Sequence, residues 1–262
     1  MGGMGGLRIT AFSTVLLFVT STLAADGDAR ILAPSGKLRA ALYPGTPTSV
    51  IDPKENTPRG IGYELGRALA QQIGVPYEPV VYAKNAEVLE AVKNGTADVA
   101  FTNASPARQR EMNFGPPFLI IELGYLVTGS GIASPADIDK VGVRVGVTAG
   151  STSDATLSRD LKNGEVVRAT TNQNGAEMLA AGKIDAFATN KATLFELAEK
   201  VPGAKVLAES WGEERHAIAF PHGREHGAAF IKKFTEHALA DGLVKAAIGR
   251  AALRGARTAA EQ

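Results

Sequence analysis

The sequence contains no cysteine. That absence excludes a disulfide framework, thiolate metal ligation and cysteine nucleophiles, so stability has to come from packed cores. Net charge is nearly absent too: 28 Lys and Arg stand against 27 Asp and Glu in 262 residues. So balanced a chain has no electrostatic footprint for nucleic acid. Beyond residue 24 there is no long apolar run. The longest, Phe118 to Val127, is broken by Glu122 and falls short of the ~20 residues a bilayer-crossing helix needs. Metal and cofactor signatures are equally thin. His222 and His226 are four apart with no clear third ligand, which reads as a solvated face. Gly60, Gly62 and Gly66 have the wrong spacing, and no strand before them, for a dinucleotide loop. Ser151 has no G-x-S-x-G setting and no histidine in its segment, which leaves nucleophilic catalysis unsupported. No cofactor is expected.

What is present starts with residues 1–24. Arg8 gives a positive n-region, Ile9 to Leu23 is apolar or hydroxylic, and small residues precede the acidic start Ala25-Asp26. This is the layout of a secretory signal peptide cut after Ala24, and it predicts a periplasmic protein. Cleavage there removes one arginine and leaves 27 residues of each charge sign.

The rest alternates strand-like and helix-like segments. Leu38 to Tyr43 is a short apolar run closed by Pro44-Gly45. Ile61, Leu65, Leu69 and Ile73 recur every fourth residue, as on one helix face. Tyr77 to Tyr82 is a strand, Val88, Leu89 and Val92 mark a helix ended by Asn94-Gly95, and Ala97 to Thr102 is a strand. The β-α-β-α-β order predicts a mainly parallel sheet covered by helices. After Val127 the same grammar restarts, with strands at Val143–Thr148, Val166–Ala169 and Ile184–Thr189 and helices at Thr152–Leu161 and Gln173–Ala181.

An internal repeat supports the restart. AVKNGTADVAFTN (91–103) lies on MLAAGKIDAFATN (178–190) without gaps, pairing Gly95 with Gly182, Asp98 with Asp185 and Asn103 with Asn190. In each copy a helix ends at glycine, which accepts a left-handed cap. The tail differs: one strand from His216 to Phe220, then two helices with no partner strands of their own. Such helices must pack on something already built. The chain is therefore expected to return to its first lobe, with crossings near Tyr125–Val127 and Ala217–Phe220. That predicts an α/β fold of two lobes, residues 25–126 with 218–262 and residues 127–217, hinged around a cleft.

Ligands of open α/β sheets bind beyond the C-terminal strand ends. The rule selects Tyr43, Asn103 and the turn with Arg108 in one lobe, and Ser151, Thr152 and Asn190 in the other. Hydroxyls and free N–H groups where AGSTSDATL (149–157) opens a helix can hold an anion, or simply cap the helix. Arg108 can grip a carboxylate with two parallel hydrogen bonds, or sit with Arg110 as a surface arginine.

The order GIGYELGRALAQQIG (60–74), AVKNGTADVAF (91–101), SPARQREMNFGPPF (105–118), VGVRVGVTAGSTSD (141–154) and AAGKIDAFATN (180–190) resembles the amino-acid-type periplasmic solute-binding proteins of ABC transporters, bacterial extracellular solute-binding family 3. The resemblance covers nearly all of the chain after residue 24. It implies a two-lobed Venus flytrap in which Arg108, Ser151 and Thr152 hold a ligand carboxylate and Asn103 adds a small polar contact. Two positions depart from the pattern. Asn190 stands where the family usually has an acid for the ligand ammonium, and Tyr43 before Pro44-Gly45 replaces the usual acidic and aromatic pair. Glu122 is the one other acid considered for a ligand cation; a solvent-facing strand position is the alternative.

The resemblance implies a non-enzymatic receptor that closes on its cargo.

 It is expected to act as a monomer, to take a small molecule with an anionic or strongly accepting end, and to deliver it to the membrane subunits of an ABC transporter. The alternatives are a periplasmic dehydratase of the cyclohexadienyl type, which needs a cleft acid that the sequence does not offer beyond Glu122, and a sensory or accessory receptor.

Overall fold

A computed structural model of the chain describes residues 27, 29–52, 54, 58–129 and 131–261. The leader expected over residues 1–24 lies outside them. The first lobe begins with β1 (Leu38–Leu42), α1 (Ile61–Ile73), β2 (Tyr77–Val81), α2 (Asn85–Lys93), β3 (Val99–Asn103) and the one-turn α3 (Pro106–Gln109). Strand β1 lies between β2 and β3 and is parallel to both. The α1 periodicity has its physical counterpart here: Ile61, Leu65, Leu69 and Ile73 are all buried along one face.

After the long β4 (Asn113–Thr128), the second lobe repeats the plan with β5 (Arg144–Thr148), α4 (Thr152–Asp160), β6 (Glu165–Ala169), α5 (Asn172–Ala180), β7 (Ala186–Asn190) and α6 (Lys191–Ala198). Here β5 is the middle strand, parallel to β6 and β7. The chain continues through β8 (Ala204–Val206), β9 (Gly212–Phe220), α7 (Ala228–Ala240), α8 (Leu243–Arg250) and β10 (Ala256–Thr258). The terminal helices return to the first lobe, where Ile231, Phe234 and Val244 share a core with Leu38, Leu42, Ile61 and Leu65.

Strands β4 and β9 run through both lobes and join them in the order β2-β1-β3-β9-β4-β7-β5-β6. Strand β4 pairs with β10 up to Ile121 and with β9 up to Leu123, and from Leu123 it pairs with β7 of the second lobe. The passage between lobes thus falls at Glu122 and its partner Glu213, earlier in the chain than the crossings read from the sequence. The run from Phe118 to Val127 is apolar on both sides of that point, so it carries no mark of where the pairing partner changes.

The internal repeat proves to be a repeated ion pair. The main-chain N–H of Arg39 donates to Asp98 Oδ2 (2.8 Å), and its guanidinium donates to Oδ2 (3.0 Å), to Oδ1 (2.7 Å) and to the Gly95 carbonyl (2.9 Å). Arg144 does the same to Asp185 at 2.8, 3.0 and 2.8 Å and to the Gly182 carbonyl at 2.9 Å. Gly95 and Gly182 adopt φ +75° and +64°, a left-handed turn that glycine enters without a Cβ penalty. Each turn aims its carbonyl and the following carboxylate at the arginine that opens or lies within the first strand of its lobe.

Candidate functional site

The cleft lies between the C-terminal ends of the two parallel trios and encloses about 670 Å³ of empty space, part of it open to solvent. Tyr43, Thr102 and Arg108 face it from the first lobe, Ser151, Thr152 and Asn190 from the second, and Glu214 and His216 from β9.

Arg108 sits on α3, whose start is capped by Ser105 Oγ accepting from the Arg108 N–H. Its guanidinium donates to Thr102 Oγ1 (2.8 Å) and the Asn103 carbonyl (3.4 Å) and reaches the Gly150 carbonyl of the opposite lobe at 3.5 Å. Burial lowers its pKa, with Glu214 opposing; an arginine starts from so high a value that it stays charged. Among the described residues no carboxylate lies within 4.0 Å of it. Such a cation lacks a paired anion and is a ready carboxylate receptor.

Across the cleft, the two hydroxyls at the start of α4 divide the work. Ser151 Oγ accepts from the Asp154 N–H at 3.1 Å and so caps the helix. The Thr152 hydroxyl accepts from Asn103 Nδ2 (3.0 Å) and helps hold the nearby Glu214 carboxyl down. Asn103 itself is not on the cleft surface. It stands behind Thr152, with its Oδ1 accepting from the Arg215 N–H at 3.0 Å, and so ties β3, β9 and α4 together. Asn190 faces the cleft, but its Oδ1 accepts from the Thr193 N–H (3.0 Å) and caps α6. Tyr43 reaches the Asn172 main chain of the other lobe; burial raises its phenol pKa and that bond opposes the rise.

Glu122 is not in the cleft. It accepts from Lys191 Nζ (2.8 Å) and Ser210 Oγ (2.7 Å), and these bonds, Lys191 foremost, hold its carboxyl below the ordinary range. The cleft acid is Glu214, which the sequence reading missed. Glu214 and His216 are 8% and 6% exposed, and His216 Nε2 lies 2.9 Å from Glu214 Oε2. Burial pushes the Glu214 carboxyl up, but His216, Thr152 and Arg108 together outweigh it and hold it below the ordinary range. His216 Nδ1 is buried with no partner. The available signal was the spacing: Glu214, His216 and Ile218 share one side of a strand, so two polar groups stand on an otherwise apolar side.

Residues 38–247 match the bacterial extracellular solute-binding proteins, family 3. The chain belongs to that family. This solute-binding protein is 30% identical over 157 residues to a membrane-bound lytic murein transglycosylase F of Aeromonas hydrophila subsp. hydrophila, covering 57% of the chain and 31% of the relative. It thus spans about a third of the length of that curated relative. Its fold is that of a solute receptor for L-cysteine of Neisseria gonorrhoeae, with a TM-score of 0.76, 22% identity, and coverage of 85% of this chain and 92% of that one. It is also that of an ancestral amino acid-binding protein described as a precursor of cyclohexadienyl dehydratase, with a TM-score of 0.73, 20% identity, and coverage of 85% and 97%. The two-lobed fold and a solute-binding role follow for the family member described here.

Proposed function

We propose that this solute-binding protein is exported with residues 1–24 removed, captures a small carboxylate-bearing solute in the interlobe cleft as a monomer, and presents it to the membrane subunits of an ABC transporter. One observation carries the reading: the buried Arg108 guanidinium faces the start of α4 with no protein carboxylate within ion-pair distance among the described residues. A carboxylate placed there meets two charge-assisted bonds on one side and free N–H groups with the helix dipole on the other. Closure around it shifts the open–closed equilibrium toward a form the membrane partner can recognise. A thermal-shift screen against amino acids, dicarboxylates, amines and aromatic acids tests the reading, because a solute that prefers the folded form raises its melting point. Stabilisation by carboxylates that disappears in Arg108→Ala supports it; stabilisation by amines alone refutes it. A dehydratase needs a protonated acid in the cleft, whereas Glu214 is held in its charged form, which supports binding over elimination.

A further inference from the structure

We infer that Arg254, in the turn between α8 and β10, is a latch outside the cleft: by gripping α6 of the second lobe it holds the two lobes at the angle seen here. The latch acts on lobe movement alone and serves whichever solute the cleft takes.

Helix α6 belongs to the second lobe by chain order, yet one row of side chains along it meets the first. Lys191, Phe195 and Glu199 recur every fourth residue and so share a face. Arg254 lies against that row. Its guanidinium carbon is 4.1 Å from the centre of the Phe195 ring, and its Nη2 donates to the Phe195 carbonyl and to Glu199 Oε1, both at 3.4 Å. A guanidinium over an aromatic face is attracted by the ring quadrupole. The approach is tightest at Lys191. A Cβ on Gly255 would stand 2.7 Å from Lys191 Cβ, and one on Gly124 would stand 2.9 Å from Lys191 Cγ, so glycine at both places lets the lysine stem pass. The tip of Lys191 is fixed as well, donating to Glu122 (2.8 Å) and to the Ala208 carbonyl (2.7 Å). Its neighbour Ala192 is buried in the first-lobe core.

These contacts differ in their distance from the turning point. Glu122 stands where β4 passes between the lobes, so Lys191 is at the pivot and can keep its partners as the lobes move. Phe195 and Glu199 lie about 6 and 12 Å farther along the helix, at about 1.5 Å per residue. A lobe rotation of about 15° carries the end of such an arm by about 3 Å, which breaks bonds already near the long limit. The grip of Arg254 therefore belongs to the arrangement in which Asn103 reaches Thr152 across the cleft, and it favours that arrangement before any solute arrives. The Arg254 and Glu199 side chains are 55% and 76% exposed, so their ion pair adds little. Stacking on Phe195 carries the effect, a factor of about 2–5 in the population of the closed form.

The test exploits the absence of cysteine. Glu90→Cys on α2 and Arg159→Cys on α4, both exposed, supply the two spin-label sites, one on each lobe. Double electron–electron resonance on solute-free chain from residue 25 onward then reads the ratio of near to far interlobe distances. Arg254→Ala is expected to lower that ratio about 2–5-fold. Phe195→Leu, which keeps bulk and removes the ring, is expected to lower it as much. The double substitution should lower it no further than either alone, because both remove one contact. Glu122→Gln, at the pivot, is expected to lower the melting temperature and leave the ratio in place. An unchanged ratio in Arg254→Ala, or losses at Arg254 and Phe195 that add, overturns the latch. A ratio that falls in step with melting temperature in every variant, Glu122→Gln included, overturns it too, because general loosening then accounts for the change.

Discussion

The duplicated aspartate allows a comparison of one interaction in two degrees of burial. Asp98 and Asp185 each accept three bonds from the arginine of their first strand. Asp98 is fully buried and takes a fourth bond from Arg224 at 2.7 Å, whereas the Asp185 side chain is 36% exposed. Asp98→Asn leaves two guanidinium groups, 22% and 13% exposed, without their anion. Breaking a buried pair in this way costs about 3–5 kcal/mol. Asp185→Asn removes a pair that water already screens, worth about 1 kcal/mol or less. At about 2–4 °C per kcal/mol for a chain of this size, melting falls by roughly 6–20 °C in the first variant and by a few degrees in the second. Urea denaturation followed by far-UV circular dichroism measures the loss. The single tryptophan, Trp211, packs with Tyr125 against the second-lobe core, so its fluorescence reports that lobe separately. In Asp98→Asn the dichroism transition should move to lower urea than the fluorescence transition. Equal losses at the two positions would refute the argument from burial.

Arg108→Ala should weaken binding of a carboxylate solute by about 2–5 kcal/mol, and unchanged affinity by calorimetry removes Arg108 from the site. Ser151→Ala should cost about 1 kcal/mol of stability through the lost cap and change affinity little, while Thr152→Val should weaken binding by about 1 kcal/mol; the reverse pattern in paired melting and titration experiments would show that the two hydroxyls were assigned the wrong way round. Because the folded-state carboxyl of Glu214 titrates below its ordinary value, it contributes stability that is fully present above the unfolded value, about pH 4.3, and is lost as pH falls through the folded one. Melting curves from pH 6 to pH 3 should therefore fall less steeply in Glu214→Gln than in wild type, and parallel curves would contradict the direction of that shift.

The sequence made the elements legible wherever a period or a turn imposed them. The fourfold spacing from Ile61 to Ile73 and the Asn94-Gly95 stop mark helices because burial of one face and a left-handed cap leave local traces. The cleft residues at strand ends followed from topology, and Arg108 and Thr152 stood out from other polar residues only through resemblance. Glu214 left no such trace. Its partner Thr152 lies 62 positions earlier in the chain, and the strand was recognised from His216 onward by its apolar end, so the two polar residues that open it went unread as a pair. Asn103 was legible as a polar residue at a strand end, but its place behind the cleft wall depends on Arg215 of the neighbouring strand β9 and on Thr152 of the other lobe, two contacts distant in the chain.

The distribution of charge around the cleft has a consequence for the order of events. The two charged side chains that line the cleft, Arg108 and Glu214, stand on the first lobe and on the strand through which it is tethered, and the opposing wall brings hydroxyls and amides alone. A carboxylate solute of the kind proposed would therefore meet the charged jaw first, while the other is still swung away. Ionic strength then acts on the seizure, and the swing of the neutral jaw, which expels water and adds hydrogen bonds, proceeds almost indifferent to salt.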